Sequence, residues 1–174
     1  AYLKPFPDGP APFQARFPVP LAAAALPTLL RDGQAAWGAD HPVFRWQRRL
    51  TADQVAAALG PERAVGRPTG LKVLARGPSG RVLALEVQGT AGRTVLRLDA
   101  IRRTLRTLPS TLFTLRPAGE GVWQLAGGGF GHGAGLSQAG AIDLAARGWS
   151  ATRILAHYYP GTTLQPLGAG GDSP

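Results

Sequence analysis

The chain has no cysteine and no methionine. Without cysteine there is no disulfide, no thiol nucleophile and no thiolate zinc ligand. That absence fits oxidising and reducing compartments alike. Lysine is nearly missing as well: Lys4 and Lys72 are the two present, so arginine carries almost all of the net charge of +9. Acidic residues number 10 against 19 basic ones, a balance that favours polyanionic partners: nucleic acid, an anionic membrane surface or an anionic cell-wall polymer. No apolar run reaches the ~18 residues that a membrane span needs. The first residue is Ala1 and no signal-type segment follows, so the chain reads as a processed or truncated piece.

What the chain has in excess is glycine, 24, and proline, 16. Both point to many turns and short elements. With 174 residues, 44% of them hydrophobic, one domain with its own core is expected. Proline recurs every few residues through 1–42, which excludes a long helix or a central strand there. A short helix over 22–30 is expected to break at Pro27. The stretch reads as an arm laid on a neighbouring surface or as a loop.

Residues 41–49 read as a strand with Val43 or Phe44 and Trp46 on alternate faces. Thr51 with Gln54 three residues on is a capping box, with Leu50 stapling to Val55, and the helix stops at Gly60-Pro61. Residues 71–76, 81–88 and 93–98 read as a β-meander with turns at 77–80 and 89–92. In its middle strand Leu83, Leu85 and Val87 alternate with Ala84, Glu86 and Gln88, predicting one buried and one wet face. Asp99 is placed to cap a short helix that turns Ile101 and Leu105 inward and leaves Arg102, Arg103 and Arg106 to solvent. Two further strands, 111–116 and 122–126, flank a turn at Ala118-Gly119. The fold class is therefore α+β: an antiparallel meander with short helices, ending in a glycine-rich loop followed by two helices. Residues 166–174 read as a flexible tail.

The densest local demands lie in 127–164, where Gly127, Gly128, Gly129, Gly131, Gly133 and Gly135 fall within nine residues. Such density calls for left-handed backbone or for backbone held close to something. The loop follows a strand and precedes a helix, so its N–H groups can face a ligand. Tight packing alone is the plain alternative. A dinucleotide fold is rejected, because a second helix follows where a parallel strand and an acidic residue are required. A P-loop lacks its Gly-Lys-Ser/Thr. His132, between two glycines, has little cover and could donate, accept or ligate. A zinc site from His41, His132 and His157 has no close ligand pair. Ser137 reads as a cap or a substrate hydrogen-bonder, since Leu-Ser-Gln is no nucleophile elbow. The small residues of 139–146 would let another element approach. Ser150 caps the last helix, and its end, His157-Tyr158-Tyr159-Pro160-Gly161, offers aromatic faces and hydroxyls of the kind that line sugar sites or core edges. No pair of carboxylates has an acid/base arrangement.

The run Gly129-Phe130-Gly131-His132-Gly133-Ala134-Gly135-Leu136-Ser137-Gln138, then Gly140-Ala141, Ala145, Gly148, Ile154-Leu155 and His157-Tyr158-Tyr159-Pro160-Gly161-Thr162, resembles the C-terminal signature of the SpoIID/LytB family (stage II sporulation protein D and amidase enhancer). Leu136 stands where that family usually has Met. Tyr2-Leu3 with Pro7-Asp8, the stretch from His41 to Trp46, and Ser110-Thr111-Leu112-Phe113 resemble its preceding region, with residues 10–40 as an insertion. On this reading residues 1–165 form the C-terminal part of such a domain.

The resemblance implies a lytic transglycosylase that cuts peptidoglycan strands stripped of stem peptides. One glutamic acid protonates the glycosidic oxygen and the muramyl 6-hydroxyl closes a 1,6-anhydro ring, with a raised-pKa carboxyl acting as acid and then base. In the family that glutamate lies in an N-terminal helical segment beside a Met, and no residue here matches it. The catalytic residue is expected upstream, in the missing N-terminal half of the domain, and this chain alone is expected to be inactive. His132, Gly133, Ser137, Gln138, Tyr158 and Tyr159 would be the substrate-binding wall. No metal or cofactor is expected, because the zinc of some relatives depends on a cysteine. The alternative is a non-catalytic wall-binding module that enhances a separate cell-wall amidase. A third reading, nucleic-acid binding through Arg93, Arg97, Arg102, Arg103 and Arg106, is not adopted; a steep salt dependence on DNA would support it. The resemblance also implies an extracytoplasmic location, in periplasm or cell wall.

Overall fold

A computed structural model describes residues 5–165 of the chain. Tyr2 and Leu3 of the resemblance, and the tail 166–174, lie outside the described residues. Among those described, six strands form two three-stranded antiparallel sheets, accompanied by six short α-helices. The fold class is α+β, as the turn-rich sequence implies.

The first sheet has the order β1-β6-β5, with β1 at Arg45–Thr51, β5 at Phe113–Pro117 and β6 at Val122–Gly128. The second is the meander β2 (Pro68–Arg76), β3 (Val82–Gly89) and β4 (Gly92–Arg97). The two sheets share one core, in which Trp46, Leu50, Phe113, Trp123 and Leu125 of the first meet Leu85, Val87 and Leu96 of the second. Helix α3 (Ala52–Leu59) begins in the expected capping box: Thr51 Oγ1 accepts from Gln54 N, and Gln54 Oε1 accepts from Thr51 N. It ends at Gly60, whose φ of +67° is left-handed. Val55 and Leu59 add its apolar face to the shared core.

Four expectations about the strands and the Asp99 cap are corrected. Strand β1 starts at Arg45, because residues 41–44 close a turn in which Phe44 N donates to His41 O at 2.7 Å. Strand β5 likewise starts at Phe113. The two-faced reading of β3 fails, since Glu86, at 6% exposure, and Ala84 are buried while Leu83 is 37% exposed. The register of β2 on β3 explains the leucine. Pairing skips Leu74 on one strand and Leu83 on the other, and these irregularities turn both side chains outward. Glu86 stays satisfied inside by accepting from Gln88 Nε2 at 2.7 Å. Finally, Asp99 makes no side-chain cap on α4 (Ala100–Thr104). It lies beside Arg103 and Arg102 instead, and Arg102 is largely covered, at 22% side-chain exposure.

The proline-rich segment is packed rather than loose. Helices α1 (Ala11–Arg16) and α2 (Leu26–Asp32) bury Phe13, Phe17 and Leu26. Pro27 starts α2 instead of breaking it, because a proline in the first helical turn has no N–H that the helix would need. The other end of α2 is closed by Arg45 of β1, whose Nη2 and Nε donate to Leu29 O and Leu30 O at 2.8 and 2.7 Å.

The C-terminal helices α5 (Gln138–Ala146) and α6 (Ala151–Tyr158) build a second, smaller core from Leu144, Ile154 and Tyr158, with Phe6, Trp37, Leu136, Trp149 and Tyr159 around it. Ser137 and Ser150 cap them as the sequence predicts. The small residues of α5 are used for close approach: a Cβ on Gly140 would collide with the Tyr158 hydroxyl, and Gly38 lies against Ala139.

Candidate functional site: the glycine loop and its arginines

Strand β6 runs into the glycine loop, and the loop is fastened on both sides. On the β1 side, Gly129 N donates to Phe44 O and Trp46 Nε1 donates to Gly129 O, both at 3.1 Å. On the other side, Gly131 N donates to Pro109 O at 3.0 Å, and the buried Ser110 Oγ donates to Gly128 O at 2.7 Å. Gly127 is required because the Trp46 indole occupies the place of any Cβ there. Gly129, Gly131, Gly133 and Gly135 all have φ between +69° and +86°, a region costly for other residues.

This backbone carries two exposed side chains outward. Phe130 is 69% exposed, with the Arg102 guanidinium carbon 5.4 Å from its ring centroid. His132 is exposed, and its Nδ1 accepts from Ala134 N at 3.1 Å. In the neutral ring the proton is then on Nε2, which leaves an outward donor. Beneath the loop lies Arg81, from the turn before β3. Its guanidinium fills the space that a Cβ on Gly133 would take. Burial pushes its pKa down to about 10, and the charge of Arg102 adds to that.

The six site residues of the sequence reading fall into different environments. His132, Gly133 and Gln138 are exposed at the loop and the start of α5. Ser137 is half-buried, with its hydroxyl accepting from Gly140 N at 3.1 Å. Tyr159, also half-buried, has its hydroxyl accepting from Leu136 N at 3.2 Å. Tyr158 is buried, and its hydroxyl donates to Asp8 Oδ2 at 2.8 Å. Asp8 also meets His157 Nε2 at 3.1 Å. Burial raises the Asp8 pKa, against the opposing pull of these two hydrogen bonds. Burial, then the Asp8 charge, drives the Tyr158 phenol far up, so it stays protonated. His41 Nδ1 accepts from Val43 N, far in role from a ligand. Among the described residues, no three His, Asp or Glu side chains are grouped to hold a metal ion.

Sequence reasoning missed Arg81, Arg102 as a covered group, and the Asp8 anchor. Pro7-Asp8 was visible only as part of a resemblance. Arg81 had no signal at all, being one arginine after a turn.

A family model described as a domain of unknown function (DUF8618) matches residues 1–135. The chain belongs to that family. The DUF8618 match takes in both sheets and the loop through His132 and Gly133, and it ends before α5 and α6. The chain is also similar to the stage II sporulation protein D of Bacillus amyloliquefaciens, with 31% identity over 135 residues, 78% of this chain and 37% of that protein. It thus spans a little over a third of that relative's length. This distant relationship to a sporulation protein agrees in part with the SpoIID resemblance. Among the described residues, no helix of this DUF8618 chain is long and apolar enough to cross a membrane.

Proposed function

We propose that this chain is the glycan-binding part of a SpoIID-like, peptidoglycan-processing domain that acts outside the cytoplasm on strands stripped of stem peptides. The observation that carries the reading is the rigidly held glycine loop. It presents an exposed aromatic face, Phe130, and an outward imidazole donor, His132, over a cationic floor. Sugar rings lie on aromatic faces and take hydrogen bonds from such donors, and the arginine-rich charge suits an anionic wall polymer. In this reading the general acid that cleaves the strand to 1,6-anhydromuramyl ends is a glutamate outside these residues. Among the described residues no carboxylate hydrogen-bonds to His132 or Arg81, and the carboxylate with a raised pKa, Asp8, is held by His157 and Tyr158.

That absence of an acid at the loop also favours the second reading, a wall-binding module that assists a separate amidase. One experiment separates the two. The chain is incubated with peptide-free peptidoglycan strands, alone and as part of the longer protein, and products are read by mass spectrometry. Binding without new ends from the chain, and 1,6-anhydro ends from the longer protein, are expected. Binding without new ends from either leaves the amidase-enhancer reading. Failure of the chain to bind strands at all would sink both, and anhydro ends from the chain alone would place the acid within it.

A further inference from the structure

Between α3 and α4 lies an open cleft of about 660 Å³. Its floor is apolar, made by Leu50 of β1 and Leu105, both part of the shared core. Ala57 and Ala58 of α3 form a wall, and their small side chains leave space that larger ones would fill. Around this floor stand three exposed arginines, Arg63, Arg103 and Arg106.

Fixed parts set the shape of the cleft. Arg48 Nε of β1 donates to Thr107 O at 3.0 Å and ties the chain after α4 to the first sheet. Arg63 Nη1 donates to Thr104 Oγ1 at 3.1 Å, joining the turn after α3 to α4. The charge here is poorly compensated. Arg103 Nε meets Asp99 Oδ2 at 3.4 Å, but Arg63 and Arg106 are in no ion pair among the described residues. No carboxylate lines the cleft: Asp99 does not, nor do Asp53 and Glu62, the chain neighbours of Gln54 and Arg63.

Such a cleft suits an anion with an apolar backing. Guanidinium groups pair with phosphate oxygens through forked hydrogen bonds, and a concave apolar wall strengthens their field. What the cleft lacks narrows the ligand. No aromatic ring lines it, so it offers no platform for stacked bases. Its leucines are buried at the bottom, so none projects to enter a bilayer. An aliphatic chain with phosphate at intervals meets both conditions, with phosphate at the arginines and methylene groups over Leu50 and Leu105.

We propose that the α3–α4 cleft binds the phosphodiester groups of a polyol-phosphate polymer, as a site separate from the glycine loop. The site rests on the cleft itself; the choice of a wall polymer as its source rests on the glycan reading above. Helix α4 sets the two sites side by side: Arg102 lies against Phe130 of the loop, and Arg103, next in the chain, lines the cleft. A glycan strand and an anionic polymer would then be gathered at the same short helix.

Calorimetric titration of the full chain with four probes tests this: poly(glycerol phosphate), peptide-free strands without such polymer, duplex DNA, and phosphatidylglycerol vesicles. At equal phosphate concentration the first should bind more tightly than DNA or vesicles. Arg106→Met should weaken it about tenfold, the loss of one charge-assisted hydrogen bond. Ala57→Phe, which fills the cleft and leaves the charge unchanged, should weaken it as much; Arg63→Met serves where that variant folds poorly. Arg97→Met removes an equal charge on β4, outside the cleft, and should leave polymer binding near the parent's. All these variants should bind peptide-free strands like the parent. Equal losses in Arg97→Met and Arg106→Met overturn the inference, as does full binding in a folded Ala57→Phe. DNA or vesicles bound as tightly as the polymer overturn it in favour of nucleic acid or a membrane surface. Loss of polymer binding in the parent, with strands still bound, overturns the inference alone. Loss of strand binding, with polymer still bound and sensitive to the cleft variants, overturns the glycan reading alone.

Discussion

Asp8 and Arg81 are both covered charges, and the chain treats them in opposite ways. Asp8 is surrounded by donors, the Tyr158 hydroxyl at 2.8 Å and His157 Nε2 at 3.1 Å, with Phe6 and Trp149 edge-on to the same imidazole. It ties the start of the chain to its last helix, which is a structural task. Truncating it in Asp8→Ala should lower stability by about 1–3 kcal/mol, because the buried Tyr158 hydroxyl and the half-buried His157 lose their bonds at once; urea melts followed by tryptophan fluorescence measure this. The pH dependence has a definite sign. Burial raises the Asp8 pKa above 3.8 in the fold, so the folded state holds this proton where the unfolded chain has released it. Asp8 thus contributes stability at low pH that is lost as pH rises from about 3.8 through its folded-state value. Asp8→Asn should remove that slope. Arg81, by contrast, is covered with no hydrogen-bond partner for its Nη1 among the described residues. Neither environment was legible in the sequence. The left-handed glycines were, because such backbone restricts residue type locally, whereas the surroundings of Asp8 and Arg81 are set by residues as remote as Tyr158 and Gly133.

At the scale of elements, the caps were the most readable features and the strand ends the least. Thr51 with Gln54, Ser137 and Ser150 act within three residues of themselves, so their function is written in the local sequence. The faces of β3 are set by pairing with β2, where the register skips Leu74 and Leu83, and alternation along one strand cannot report a slip in its neighbour. Pro27 was misread for a related reason: the same residue breaks a helix from inside and starts one from its first turn. What keeps α2 in place is Arg45, which reaches from β1 to the carbonyls of Leu29 and Leu30 while holding Phe44 O with its Nη1. Arg45→Leu should therefore cost about 1.5–3 kcal/mol, the range for hydrogen bonds from a charged donor. Faster amide exchange confined to residues 11–35 would mark the loss of this tie; uniform destabilisation of all strands would argue that the segment is integral to the shared core instead.

At the scale of the molecule, the candidate site lies at the seam of the two sheets. Val82 N of the meander donates to Thr111 O at 2.8 Å, and this bond brings Arg81, one residue earlier, under a loop that grows from β6 of the other sheet. The first core holds the sheets and the second holds α5 and α6, and the loop joins them. This explains why the glycine stretch dominates the sequence while its chemistry depends on residues remote from it. Ser110 is the fastening at that seam: fully buried, it donates to Gly128 O at 2.7 Å and accepts from Leu112 N at 3.2 Å. Replacing it by alanine leaves a carbonyl and an N–H without their partner, at a cost of about 1–3 kcal/mol. It touches no exposed group of the site. Ser110→Ala should nonetheless weaken binding of peptide-free strands and speed amide exchange in 129–135, since the loop would keep Gly131 N on Pro109 O but lose its side-chain anchor on the β5 side. If binding were unchanged while the loop exchanged faster, Phe130 and His132 would not need to be held rigidly, and the glycan contact would have to lie elsewhere on the chain.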